Sequence, residues 1–210
     1  MPGEVAVPGG DGWKTLGIRG SEKSLYGKFF EKLVLVGVLH LLGFSLAEKE
    51  HVAPRSFCLS SRNERSESDA TLIYNLGEGV RFDIGFIGPG NSEISLDKVS
   101  RFEREAEFGN QKVYMRTIVI VDRIGAKSRI KRLAANIDGV VLQMSMAYWP
   151  QGLGAELADV FEEYESPLDG LSGAELKGAI REGCAGAPYE QALAFVTQPA
   201  TEEVLAQEEE

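Results

Sequence analysis

Two carboxylates and a run of cations occupy the stretch FDIGFIGPGNSEISLDKVSRFE, residues 82–103. Asp83 lies among apolar neighbours, Glu93 follows ten positions later, and Lys98 and Arg101 come directly after the second acid. Strand alternation puts Arg81, Asp83 and Gly85 on one face and Phe82, Ile84 and Phe86 on the other. After a turn at Pro-Gly-Asn, Glu93 and Ser95 share a face, and Ile94 and Leu96 share the opposite one. If both apolar sets face a core, the two carboxylates converge on the far surface. Convergent carboxylates repel unless a hard divalent cation, which takes oxygen ligands, lies between them. A cation there polarises a phosphodiester and activates a water, and a nearby Lys or Arg stabilises the charge that builds up. The same residues also describe a plain hairpin whose charges alternate toward solvent.

The elements that must position these residues read as follows. A helix is expected from Ser21 or Ser24 through LYGKFFEKLVLVGVLHLLGF, with burial offsetting Gly37 and Gly43. Glu48 to Ser68 is polar and reads as a loop, with SSRNERSESD as its centre. TLIYNL and GVRFDIGFIG read as strands joined by a Gly-containing turn, and SEISL as a short third one. A helix in DKVSRFEREAEFG follows, with Ser95 as cap and Gly109 as stop. VYMRTIVIVDRIG has a continuous apolar centre, which predicts a central strand covered on both faces. AKSRIKRLAANIDG is an expected helix, VVLQMSM a strand and LGAELADVFEEY a helix. This order predicts an α/β fold with a mixed β-sheet sandwiched by helices. A dinucleotide-binding fold is disfavoured, because its glycine fingerprint is absent and the front of the sheet is built from hairpins. Residues 1–20 are expected to be a flexible segment, 21–184 the folded domain, and 185–210 an acidic tail.

The net charge of −10 argues at first against nucleic acid, but its distribution does not. Residues 151–210 hold fourteen acidic and two basic residues, so the remainder carries about +2. Between Lys98 and Arg132 ten basic residues face four acidic ones. A local basic face is what phosphate contact requires, although a solvated helix face has the same composition. Cys58 and Cys184 have no metal-like spacing and read as reduced thiols of a cytoplasmic protein. The N-terminal MPGEVAVPGGDGWKTLG lacks the apolar stretch of a signal peptide. The longest apolar run, Leu33 to Leu46, is too short to span a bilayer, so no membrane is expected.

The segments RFDIGFIG, EISLDKVSRFE, TIVIVDRIGAKSRI and VVLQMSMAYW resemble the PD-(D/E)xK nuclease core, and more narrowly the CfrBI-type type II restriction endonucleases. The likeness covers about Ser24 to Val160. It implies a restriction-endonuclease-like core and Mg²⁺-dependent cleavage of double-stranded DNA at a short palindrome. It also implies a homodimer and a cognate DNA methyltransferase in the same cell. Carried over by position, Asp83 and Glu93 match the two acids and metal ligands, and the Ile94 backbone carbonyl a third ligand. Ser95 stands where the motif has lysine, so Lys98 is the substitute cation and Arg101 the second choice. An acid on the first helix approaches the site in similar folds, and Glu31 matches it; a surface pair with Lys28 is the alternative. Arg104, Arg123, Lys127, Ser128 and Arg129 are expected on the DNA, the last three as a helix N-terminus facing phosphate or base edges.

Other residues read more plainly. His40, between leucines, fits a core histidine, and Tyr148 and Trp149 fit packing. Asp69 fits a cap or turn, with a role as a third acid as the alternative. The acidic LGAELADVFEEY and the chain after it cannot line DNA. They are expected on the far side, or between copies through Leu157, Val160 and Phe161. Two rivals remain: a structure-specific or repair nuclease on the same core, and a DNA-binding module without catalysis, which Ser95 keeps open.

Overall fold

The computed structural model describes residues 27, 29–48, 51–60, 68–75, 77–85, 114–124, 139–146 and 148–197. A first helix, α1, covers residues 29–41. Six strands follow: β1 (Ser45–Leu46), β2 (Ser56–Leu59), β3 (Ala70–Asn75), β4 (Glu78–Gly85), β5 (Tyr114–Val121) and β6 (Gly139–Gln143). Three helices come after them: α2 (Trp149–Val160), α3 (Gly173–Ala185) and α4 (Tyr189–Thr197). The strands form one sheet in sequence order, β1-β2-β3-β4-β5-β6. β2, β3 and β4 pair antiparallel, while β1–β2, β4–β5 and β5–β6 pair parallel. The fold is therefore α/β with a mixed sheet, as the element order predicts.

α1 is held by burial rather than propensity. Leu35, Leu39 and Leu42 are fully buried against Phe57, Leu72, Phe82 and Ile118 of the sheet. Gly37 permits a close approach: a Cβ there would stand 2.5 Å from the Tyr189 hydroxyl of α4. The helix stops short of the expected Phe44 because Gly43 adopts φ +90°, and Phe44 N–H closes the turn on the Leu39 carbonyl. α2 adds Leu153 and Leu157 to the same core, and its C-cap adds Phe161. A stack of Phe44, Tyr164, Tyr74 and Phe161 joins the helix layer to β3, with Tyr74–Phe161 centroids 4.4 Å apart. Tyr164 donates to the Leu42 carbonyl at 2.9 Å, and burial pushes its phenol up to about 12.

The apolar centre of β5 has the expected cause. Ile118 and Ile120 join the main core, while Val119 and Val121 point the other way and are buried too. Both faces of the sheet are covered at β5.

Several expectations change. The polar stretch from Glu48 to Ser68 contains β2, which is buried along its whole length. Four residues carry too little alternation to reveal a strand. Packed structure also continues past Cys184 into the segment expected as an acidic tail. α4 buries Ala192 completely and packs Tyr189 and Phe195 against the core. Leu157 and Phe161 are buried within the chain's own core and do not face a second copy. Trp149 packs as expected, whereas Tyr148 is exposed in a left-handed conformation, φ 68°. His40, expected in the core, is half-buried near the end of α1. Both thiols are free. Among the described residues no helix is long and apolar enough to cross a membrane. The expected strand SEISL and the helices DKVSRFEREAEFG and AKSRIKRLAANIDG lie outside the described residues.

Candidate active site

β4 places Asp83. Val80, Phe82 and Ile84 fill the core, so alternation turns Asp83 to the opposite face, where it is only 3% exposed. The residue is paired with Val119 of β5, and Val119 with Val141 of β6. Asp83 is therefore not on a solvent-facing hairpin. It lies in the interior, two residues before the end of a strand, where an ionised carboxylate needs compensation.

The antiparallel neighbour brings a second acid. β3 pairs with β4 through Ala70 and Phe82, so Asp69 stands beside Asp83. Asp69 N–H donates to the Phe82 carbonyl at 2.8 Å, and its Oδ2 accepts from Ile84 N–H at 2.9 Å. Asp69 thus clasps both chain neighbours of Asp83. The sequence offers Asp69 as a turn residue or a third acid. The turn bonding is present, and it delivers the acid to the site's edge.

The next strand continues the row. Ser60, just past β2, donates its N–H to the Asp69 carbonyl at 3.1 Å. The Ser60 carbonyl in turn accepts from Lys32 Nζ. Lys32 belongs to α1 and is 8% exposed. It begins the buried stripe Lys32, Leu35, Val36, Leu39. Sequence reasoning passed over it in favour of Glu31. Its signal was present: a cation three and four residues ahead of apolar positions on one helix face. Glu31 itself is half-buried.

The parallel half of the sheet ends at the same edge, since Gly85, Val121 and Gln143 are in register. Just beyond, Arg123 extends a largely exposed side chain, with its Nε 3.9 Å from Asp122 Oδ2. Ile124 N–H, bonded to Gln143 Oε1 at 2.9 Å, ties this segment to β6. Ligands of open α/β sheets bind beyond the carboxyl ends of parallel strands, the edge that Asp83 approaches from within β4 and Arg123 follows just past β5.

Of the expected site residues, Asp83, Glu31 and Arg123 fall within the described residues. Glu93, Ile94, Ser95, Lys98, Arg101, Arg104, Lys127, Ser128 and Arg129 lie outside them. The described residues contain no group of three or more His, Cys, Asp or Glu side chains that would hold a metal by themselves. The donor chemistry of Asp69 and Asp83, two carboxylates at one edge, fits a hard divalent cation rather than a soft one.

An α/β fold with a mixed β-sheet is the architecture that the nuclease resemblance implies. The sequence model of the CfrBI restriction endonuclease family matches residues 11–129. The chain belongs to that family. It is similar to the Type II restriction enzyme CfrBI of Citrobacter freundii, with 54% identity over 140 residues, 66% of this chain and 39% of that protein. The chain thus spans about two-fifths of the relative's length. No solved structure matches it.

Proposed function

We propose that the chain acts as a type II restriction endonuclease, hydrolysing phosphodiester bonds of double-stranded DNA at a short palindromic site. The observation that carries this reading is Asp83, buried at the carboxyl edge of a mixed sheet in a member of the CfrBI family. In this reading Asp83 and Glu93 hold Mg²⁺, with the Ile94 carbonyl as a further ligand and Asp69 beside them. The ion supplies polarisation of the phosphodiester and an activated water. Lys98, with Arg101 behind it, offsets charge on the reacting phosphate. Glu31 supports the site from α1. Arg104, Arg123, Lys127, Ser128 and Arg129 hold the DNA backbone and base edges. The protein works in the cytoplasm as a homodimer, because two-fold symmetry meets the two equivalent strands of a palindrome. A methyltransferase of matching specificity protects the host DNA.

Incubation with Mg²⁺ and a DNA of bacteriophage length tests the reading. Discrete, reproducible fragments support it. Cutting confined to branched substrates assigns a structure-specific nuclease instead. Binding without cutting assigns a DNA-binding module, the alternative that Ser95 keeps open, since serine cannot supply the charge of a lysine.

A further inference from the structure

Lys32 is a buried cation that no part of the proposed reaction uses, the one Lys or Arg buried among the described residues. A buried ammonium is costly unless charge and hydrogen bonds compensate it. Its Nζ donates to the Ser60 carbonyl. Ser60 N–H is bonded to Asp69, and Asp69 is bonded on both sides of Asp83. Ser60, Asp69 and Asp83 therefore form a row across three adjacent strands. At about 4.8 Å per strand, the amine's anchor lies roughly 10 Å from Asp83 and closer to Asp69. α1 is fixed in this register by Leu35 and Leu39, which are fully buried one and two turns further along.

We propose that Lys32 is a positioning residue that sets the charge of the acidic edge, acting through Ser60 and Asp69 on the carboxylates around Asp83. The role rests on the endonuclease reading for its effect on cleavage, but not for its effect on metal affinity. A fixed positive charge here has two opposed consequences. It weakens the binding of a divalent cation, because like charges repel across the low-dielectric edge. It also lowers the negative potential that an incoming phosphate meets. A residue that merely fills space has neither effect.

The test uses the full chain and two variants, Lys32→Gln and Lys32→Arg. Gln keeps a donor for the Ser60 carbonyl and removes the charge, whereas Arg keeps the charge. Ca²⁺ alone is titrated by calorimetry, and Mg²⁺-dependent DNA cleavage is measured at saturating metal. For Lys32→Gln the expected result is Ca²⁺ affinity tighter by on the order of tenfold and cleavage slower by at least about tenfold. Lys32→Arg restores both toward wild type. Loss of fold lowers both quantities together, so the opposed signs separate a charge effect from instability. Should Lys32→Gln fail to fold, the Arg variant still decides: wild-type Ca²⁺ affinity and cleavage support the proposal, and loss of either overturns it. Unchanged or weaker Ca²⁺ binding in a folded Gln variant also overturns it. If wild-type protein binds Ca²⁺ but cuts no DNA, the endonuclease reading fails while the affinity comparison still judges Lys32.

Discussion

Replacing Asp83 with Asn removes one charge and little volume from a side chain that is 3% exposed. A carboxylate about 3 Å from a divalent ion contributes about 3 kcal/mol even at the dielectric constant of water. Burial at this level places Asp83 in a less polar medium than water, so that figure is a floor. The variant should bind Ca²⁺ at least roughly a hundredfold more weakly. Thermal unfolding makes the loss visible without any DNA. At a Ca²⁺ concentration a hundred times its Kd, the wild-type protein gains about 2.7 kcal/mol. For a chain of this size, that raises Tm by roughly 5–10 °C. At the same concentration Asp83→Asn should gain about 0.4 kcal/mol, a shift of about 1 °C. Cleavage in Mg²⁺ should fall to about 1% of wild type or below, since the same ion polarises the phosphodiester. An Asn variant that keeps the full Ca²⁺-induced shift and cuts DNA at the wild-type rate would refute the assignment of Asp83 to the metal.

Arg123→Ala should weaken DNA binding alike on all sequences and reduce the slope of log K against log salt by about one unit, as measured by fluorescence titration in Ca²⁺. Tyr164 links stability to alkaline pH: its folded-state pKa is raised to about 12 by burial. The unfolded chain therefore loses this proton first. The contribution is fully present below about pH 10 and disappears as pH rises through 12, amounting to about 2–3 kcal/mol. Denaturant unfolding at pH 9 and 11.5 should show a smaller loss for Tyr164→Phe than for wild type.

The parts of the fold that were legible are those with a long or repeated signal. The eight residues of β5 carry an apolar centre that only a strand covered on both faces explains, and both faces are covered. The alternation through Arg81, Phe82, Asp83 and Ile84 gave the correct face for the acid. β2 escaped because four residues inside a polar segment define no period. α4 escaped because the acidic residues beyond it dominate the composition of the last stretch, while its packing depends on Gly37 of a helix far away in sequence. Lys32 was hidden by a different limit. Periodicity places a residue on a face, but not which carbonyl its amine will meet. The Lys32–Ser60 bond depends on the end of β2, a strand the sequence did not reveal. Asp69 likewise looked like turn chemistry because its bonding is turn-like; only the pairing of Ala70 with Phe82 sets it beside Asp83.

The fit of Tyr189 against Gly37 also has a temporal consequence. The helix bearing Lys32 leaves the ribosome about 150 residues before its partner surface on α4. At roughly 5–20 residues per second, that leaves the helix without its final neighbour for about 8–30 s. A nascent chain halted before Tyr189 lacks the contact of α4 with Gly37, and α1 is then held by the sheet, α2 and α3 alone. Premature termination just before Tyr189 should therefore yield products that keep all six strands but lose the packing of α4 on α1.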